Sequence, residues 1–398
     1  MMRICLHTYY EVANPYIGGT QTLLIKLAKE LKLIGHEVFI VCSNLCPHYI
    51  IEGVDIYGVI PEKYVDLLRK EFNGIPSSKF LKKAMFDGEN KELALMNLAG
   101  YAFDQVSRFK ADIYHLNSYV ASIFADELHA PVVAYHHENE EEFDGLWGRG
   151  SFDELINQIK TAHCKTMLFA ASHHYAEHFS KLFETYIQAV HLGISLNDMP
   201  FSNTVKYSEL TSFGRNDTSV IILVPSRFNV KQKGQDLAIN ACEKLLEKYD
   251  IEIVFSGAKN SLQTELEVFR EKYKNLKIAN RLHFIAVNNM HDLYESVHIV
   301  LSPERYCSYG LSISEALAMG VPTVLSDIPT YVEIASGYRH AFFFHNDNLD
   351  DLISKLDNVV LTASQYNFRN NEAAIEFRMN NDIRNTAMVF SKIYKQLF

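Results

Sequence analysis

Apolar residues along this chain follow two alternating rhythms. RICLHTYY, HEVFIVCS, ADIYHLN, PVVAYHH, LFAAS and IQAVHLGIS are short apolar runs that end in polar residues, as buried strands do. Between them the apolar positions return every third or fourth residue. Leu23, Leu24, Leu27, Ala28 and Leu31 mark a helix from about Thr20 to Ile34, and SFDELINQIKTAHCKTML and HHYAEHFSKLF mark two more. Residues 61–110 are charged and mainly helical in pattern, interrupted by NGIPSS, and carry no assignable chemistry. From about 197 to 219 the pattern dissolves into a polar linker, and VIILVPS then starts a second alternation. IEIVFSG, RLHFIAV, the run ending near Leu301, and VPTVL are its strands. QDLAINACEKLLEKY, TELEVFREKYK, MHDLYESV, IPTYVEIA and a segment from about Leu349 to Val360 are its helices, and a last amphipathic helix covers Ile383 to Leu397. Strands and helices alternating at these lengths predict an α/β chain of two Rossmann-like halves, each a parallel, doubly wound sheet. Ligands of such sheets bind beyond the carboxyl ends of the strands, here in a cleft between two facing halves.

Residues 301–325, LSPERYCSYGLSISEALAMGVPTVL, carry the clearest chemistry. A strand ends near Leu301, a polar, aromatic loop follows, and a helix starts at Gly310 and stops at Gly320 before Pro322. Such a unit aims the free N–H groups of Gly310, Leu311 and Ser312 at a place that favours an anion. Glu315 lies one turn inside, where a carboxylate reaches a sugar hydroxyl beside that anion. In VPSRFNVKQKGQDLAI, Arg227 and Lys233 stand at the same edge of the same half and can converge on one anion, as a planar fork and a compact charge. Near the N-terminus Gly18 and Gly19 open the first helix, where two residues without Cβ admit a ligand close to the backbone. The GxGxxG dinucleotide fingerprint is missing there, which counts against a dehydrogenase.

Composition narrows this picture. The 398 residues suit two domains, and 48% hydrophobic with 22% charged residues describe a soluble globular chain. A net charge of −10 and a pI near 5.9 argue against a nucleic-acid partner. Six scattered cysteines without a CxxC pair suit reduced thiols and a cytoplasmic protein. Neither a signal-peptide pattern nor a membrane span is read, although peripheral contact with a membrane or a partner subunit is compatible with the sequence.

These stretches together resemble the retaining nucleotide-sugar glycosyltransferases of family 4, which have the GT-B fold. IGGTQTLLIKLAKELKLIGHEVFIV is similar to their glycine loop, helix and strand, PSRFNVKQKGQDLAI to their phosphate element, and SYGLSISEALAMGVPTVLSD to their donor site. The resemblance covers nearly the whole chain. It implies residues 1–196 as an acceptor-side domain, 197–219 as linker, 220–375 as the nucleotide-sugar domain, and 376–398 as a helix returning to the first domain. It implies that Arg227 and Lys233 hold the donor diphosphate, Glu315 the ribose, and Gly310 with Leu311 the phosphate, with Gly18 and Gly19 approaching from the other domain. A histidine at the end of PVVAYHH would hydrogen-bond the transferred sugar; His136 and His137 compete for that place. The implied donor is a nucleoside diphosphate sugar, the acceptor a glycan, lipid-linked or small-molecule hydroxyl, with no cofactor and no metal.

One departure stands out. The family has a second glutamate eight positions before Glu315, and this chain has Cys307 there; Glu304, three residues earlier, is a candidate replacement at the donor sugar. Cys307 also keeps open a catalytically silent subunit that steadies a partner glycosyltransferase. His174, Glu177 and His178 form the HxxEH order of inverted zinc peptidases, a weaker alternative without an identifiable third ligand.

Overall fold

The computed structural model describes residues 1–12, 19–60, 65–66, 90–162, 166–199, 219–225, 227–257, 263–285, 290–365 and 371–398. Gly18, Ser226, most of the expected linker and most of the stretch 61–89 lie outside the described residues. The chain divides into two compact units, one of Met1–Gly193 with Ile383–Phe398, the other of Ile194–Asp382.

The first unit holds strands β1 (Arg3–His7), β2 (Glu37–Cys42), β3 (Tyr49–Ile51), β4 (Val54–Gly58), β5 (Ile113–Leu116), β6 (Val132–His136), β7 (Met167–Ala170) and β8 (Ile187–Ala189). They form one sheet in the order β3-β4-β2-β1-β5-β6-β7-β8, parallel except for the β3–β4 hairpin. The inner strands are apolar on both faces because both are covered; Ile4, Cys5, Leu6 and every residue of β5 and β6 are buried. The helix Gly19–Leu33 buries Leu23, Leu24, Leu27, Ala28 and Leu31, the stripe expected from the sequence. The helix Ile383–Leu397 belongs to this unit, where His36 Nε2 meets Ser391 Oγ at 2.8 Å and Phe390 packs edge-on to His115.

The second unit holds β9 (Val220–Pro225), β10 (Ile251–Ser256), β11 (Leu282–Ile285), β12 (Ile299–Ser302), β13 (Thr323–Ser326) and β14 (Ala341–Phe344). Their order is β11-β10-β9-β12-β13-β14, parallel throughout. From β9 the strands run to one side through β10 and β11 and then to the other at β12, so the winding reverses between β9 and β12. In the first unit the reversal lies between β1 and β5 by the same count. A crevice opens at the carboxyl end of strands where such a reversal occurs.

One helix ends early. The expected run through Leu168 stops at Thr161, and Met167 already begins β7, paired with Val133. Membership of the sheet outweighs helical spacing there. No helix among the described residues is long and apolar enough to cross a membrane.

Candidate functional site

The reversal in the second unit places the loops after β9 and β12 side by side. After β9 comes Arg227, whose exposed guanidinium donates from Nη2 to Gln232 Oε1 at 3.3 Å. Asn229 caps the single turn Val230–Lys233 by accepting from Gln232 N, and Gly234 ends it at φ +63°. Only glycine fits at 234. A Cβ there would lie 1.9 Å from the Pro303 carbonyl oxygen, so the two loops touch backbone to backbone. Arg305 tightens the contact. Its N–H donates to Gln232 O at 2.8 Å, its Nη1 to Val230 O at 2.8 Å, and its two Nη groups fork onto Asp236 at 3.1 and 3.0 Å. This clasp sets Lys233 opposite Glu304, with Nζ to Oε2 at 2.6 Å and side chains only 13% and 4% exposed.

Beyond Glu304 the loop returns through Cys307, buried and outside any disulfide, whose backbone carbonyl accepts from Thr330 Oγ1 at 2.8 Å. The helix Leu311–Ala318 starts at Gly310 with φ +116°, where a Cβ would press into the Tyr331 ring at 2.6 Å. Tyr331 is itself anchored to Ser302 Oγ at 2.9 Å. Ile313 and Ser314 are the first donors inside the helix, both to Gly310 O, so the N–H groups of Leu311 and Ser312 have no acceptor within it. They make an anion-favouring end. Glu315 Oε2 accepts from Tyr294 Oη at 3.1 Å, and the same phenol donates to Ser312 O at 2.8 Å. Burial pushes the Glu315 carboxyl up to about 7, against the opposing pull of the Tyr294 hydrogen bond.

The reversal in the first unit has different side chains. Asn117, just past β5, donates from Nδ2 to the His7 carbonyl at 3.1 Å, which leaves its Oδ1 to accept from His137 Nε2 at 2.9 Å. The proton is thereby fixed on Nε2, and Nδ1 of the neutral ring is an acceptor. Burial lowers His137 to about 3, so it stays neutral at ordinary pH. Its neighbour Glu138 accepts from Tyr10 Oη at 2.8 Å and from Tyr9 Oη at 3.2 Å. Glu11 is buried, accepts from Asn44 Nδ2 at 2.9 Å, and has a carboxyl raised to about 7 by burial. His136, one residue earlier, points the other way. It stacks on Tyr119 at 4.5 Å and 19° among Phe143, Phe152 and Phe179, with neither ring nitrogen hydrogen-bonded. Strand alternation sends it into the core, while His137 stands at the edge.

Arg227, Lys233, Glu304, Gly310, Leu311 and Glu315 thus lie on one edge of the second sheet, and Gly19 and His137 belong to the first unit. Glu304 is committed to Lys233 rather than standing free beside Cys307. His174 and Glu177 are exposed on an amphipathic helix (His173–Phe183) that buries Ala176, Phe179 and Phe183, and His178 Nε2 meets Glu140 Oε1 at 2.8 Å. That is an ordinary surface helix. Sequence reasoning missed Asn117, Tyr9, Tyr10, Arg305 and Tyr294. For Tyr9, Tyr10 and Asn117 a usable signal exists, since each lies within three residues after a strand that flanks the reversal.

Residues 208–374 match the family model described as glycosyl transferases group 1. An uncharacterized glycosyltransferase of Methanocaldococcus jannaschii is 24% identical over 387 residues, covering 92% of this chain and 90% of that protein. Among solved structures, sucrose-phosphate synthase from Thermosynechococcus elongatus aligns with a TM-score of 0.74 at 12% identity over 99% of this chain and 98% of its own. Anabaena HepE in complex with UDP-glucose aligns with a TM-score of 0.70 at 14% identity over 100% of both chains. The loop after β9, the clasp and the helix start at Gly310 all fall inside the matched region. The chain has the GT-B fold, and its residues 208–374 match the glycosyl transferases group 1 model.

Proposed function

We propose that this protein moves a sugar from a nucleoside diphosphate sugar to an acceptor hydroxyl with retention of configuration, as a family 4 enzyme that needs no metal. The observation that carries the reading is the edge between β9 and β12, where two cations and the open start of a helix stand on adjoining loops. A nucleoside diphosphate leaving group gains negative charge as the glycosidic bond breaks. Donors already in place for that charge act without reorganisation at the moment of reaction. Arg227 supplies a fork, Lys233 a point charge, and Leu311 and Ser312 backbone N–H groups. Glu315, when ionised, accepts from a ribose hydroxyl. His137, neutral and held by Asn117, hydrogen-bonds the transferred sugar, with Nδ1 accepting from one of its hydroxyls. The acceptor hydroxyl passes its proton to the leaving phosphate as it attacks the same face, so no protein nucleophile is required.

HepE was solved with UDP-glucose, which supports UDP-glucose as the first donor to try. The test is nucleoside diphosphate release from a panel of UDP, GDP and ADP sugars with a chelator present, comparing wild type with Lys233→Ala. Release from one donor, lost in the variant, is the expected result. Equal release by both proteins would remove Lys233 from the reaction, and release that requires a divalent ion would overturn metal independence.

A further inference from the structure

The Lys233–Glu304 pair is built into its place from both sides. Gly234 lies against the Pro303 carbonyl, Arg305 N–H donates to Gln232 O, and Ser326 Oγ donates to Glu304 O at 2.5 Å. The two loops do not depend on the pair for their union, because Arg305 already joins them through Val230 O and the fork on Asp236. A buried ion pair is, moreover, weak evidence of stabilisation, since desolvation offsets most of its attraction. A carboxylate here therefore calls for another explanation. Its consequence is electrostatic: the cation best placed to hold a diphosphate already has an anion 2.6 Å away.

We infer that Glu304 is a positioning residue that competes with the diphosphate for the Lys233 ammonium and thereby limits how tightly the nucleoside diphosphate product is retained. This rests on the proposed reading of the site as a diphosphate site. While the donor binds, the ammonium is shared between carboxylate and phosphate. As the sugar leaves, the phosphate gains charge and takes the larger share, so Lys233 favours the transition state over the donor complex. After transfer the same carboxylate repels the fully charged product and draws Lys233 back. Release of product limits turnover in many transferases, and a device that weakens product binding speeds that step.

The test is calorimetric titration of UDP, GDP and ADP into wild type, Glu304→Gln, Glu304→Ser and Glu304→Asp. Whichever nucleotide the wild type binds should be held about tenfold tighter by both neutral variants, with Glu304→Asp close to wild type. Product inhibition in the release assay should strengthen to match. A bracing role would produce the reverse order, with the neutral variants weaker. Equal or weaker binding by the folded neutral variants overturns the inference. Two neutral side chains of different size keep the result independent of one variant's folding. Binding of none of the three nucleotides by wild type would instead overturn the reading of the site, and the inference with it.

Discussion

The β9/β12 edge of the second unit and the β1/β5 edge of the first arise from the same reversal of winding, yet they carry opposite chemistry. At the first stand Arg227, Lys233 and Arg305, the last two paired with Glu304 and Asp236, and the opening N–H groups of a helix. At the second, the described residues that follow β1, β5 and β6 include no lysine or arginine; Tyr9, Tyr10, Glu11, Asn117, His137 and Glu138 take their place. Topology reverses the winding at both edges, and the side chains decide what each offers a ligand. In the proposed transfer, the cations of the second unit's edge stabilise the departing diphosphate. An edge of neutral imidazole, amide, phenols and carboxylates suits the hydroxyls of a sugar, each of which both donates and accepts.

The largest test of this contrast removes the cation. Lys233→Ala should lower turnover by about 10², the usual loss for one preorganised donor to a developing anion. Donor-release kinetics would reveal it, and unchanged turnover would erase the difference between the edges. On the neutral edge, Asn117→Asp places a carboxylate against His137 and should raise the imidazole by about 1–3 units, from about 3 to between about 4 and 6. With rates read from about pH 4 to 8, wild type should show no inflection from His137, and the variant should lose activity as pH falls below about 6 and the ring gains a proton. An identical rate profile for both proteins would mean that His137 takes no part.

A third test uses Glu315. Its folded value of about 7 lies above the ordinary carboxyl value, so its contribution to stability is present at low pH and is lost as pH rises through 7. A ribose hydroxyl donating to the ionised form offsets that loss. Nucleotide affinity should therefore rise roughly tenfold from pH 6 to pH 8, and Glu315→Gln should flatten the change. Calorimetry at the two pH values distinguishes the outcomes. The smallest expected effect is a shift of donor-sugar preference in Cys307→Glu, read by comparing release from UDP-glucose, UDP-galactose and UDP-N-acetylglucosamine. An unaltered ranking would show that position 307 does not face the sugar.

How much of this was legible beforehand depended on the distance over which each feature is determined. The helix start at Gly310 and the Arg227–Lys233 loop are local, and glycine, proline and apolar spacing expose them directly. The β3–β4 hairpin escaped notice because its turn residues Glu52 and Gly53 adopt φ of +49° and +78°, and glutamate is not a residue that advertises such a turn. His136 and His137 could not be separated from one sequence, since a one-residue uncertainty in the strand end exchanges core for edge. The Lys233–Glu304 pair joins residues 71 positions apart and is set by a glycine meeting a carbonyl, which no spacing rule encodes.

The last helix, Ile383–Leu397, sits in the first unit, which makes the second unit an insertion within the first. During synthesis the ribosome therefore delivers Phe390, Ser391 and Tyr394 only after the whole of Ile194–Asp382 has emerged. Until then His36 and His115, both buried in the finished unit, lack the partners Ser391 and Tyr394. The first unit is thus completed only after the inserted one, and removing Ile383–Phe398 should injure the first unit while leaving Ile194–Asp382 whole.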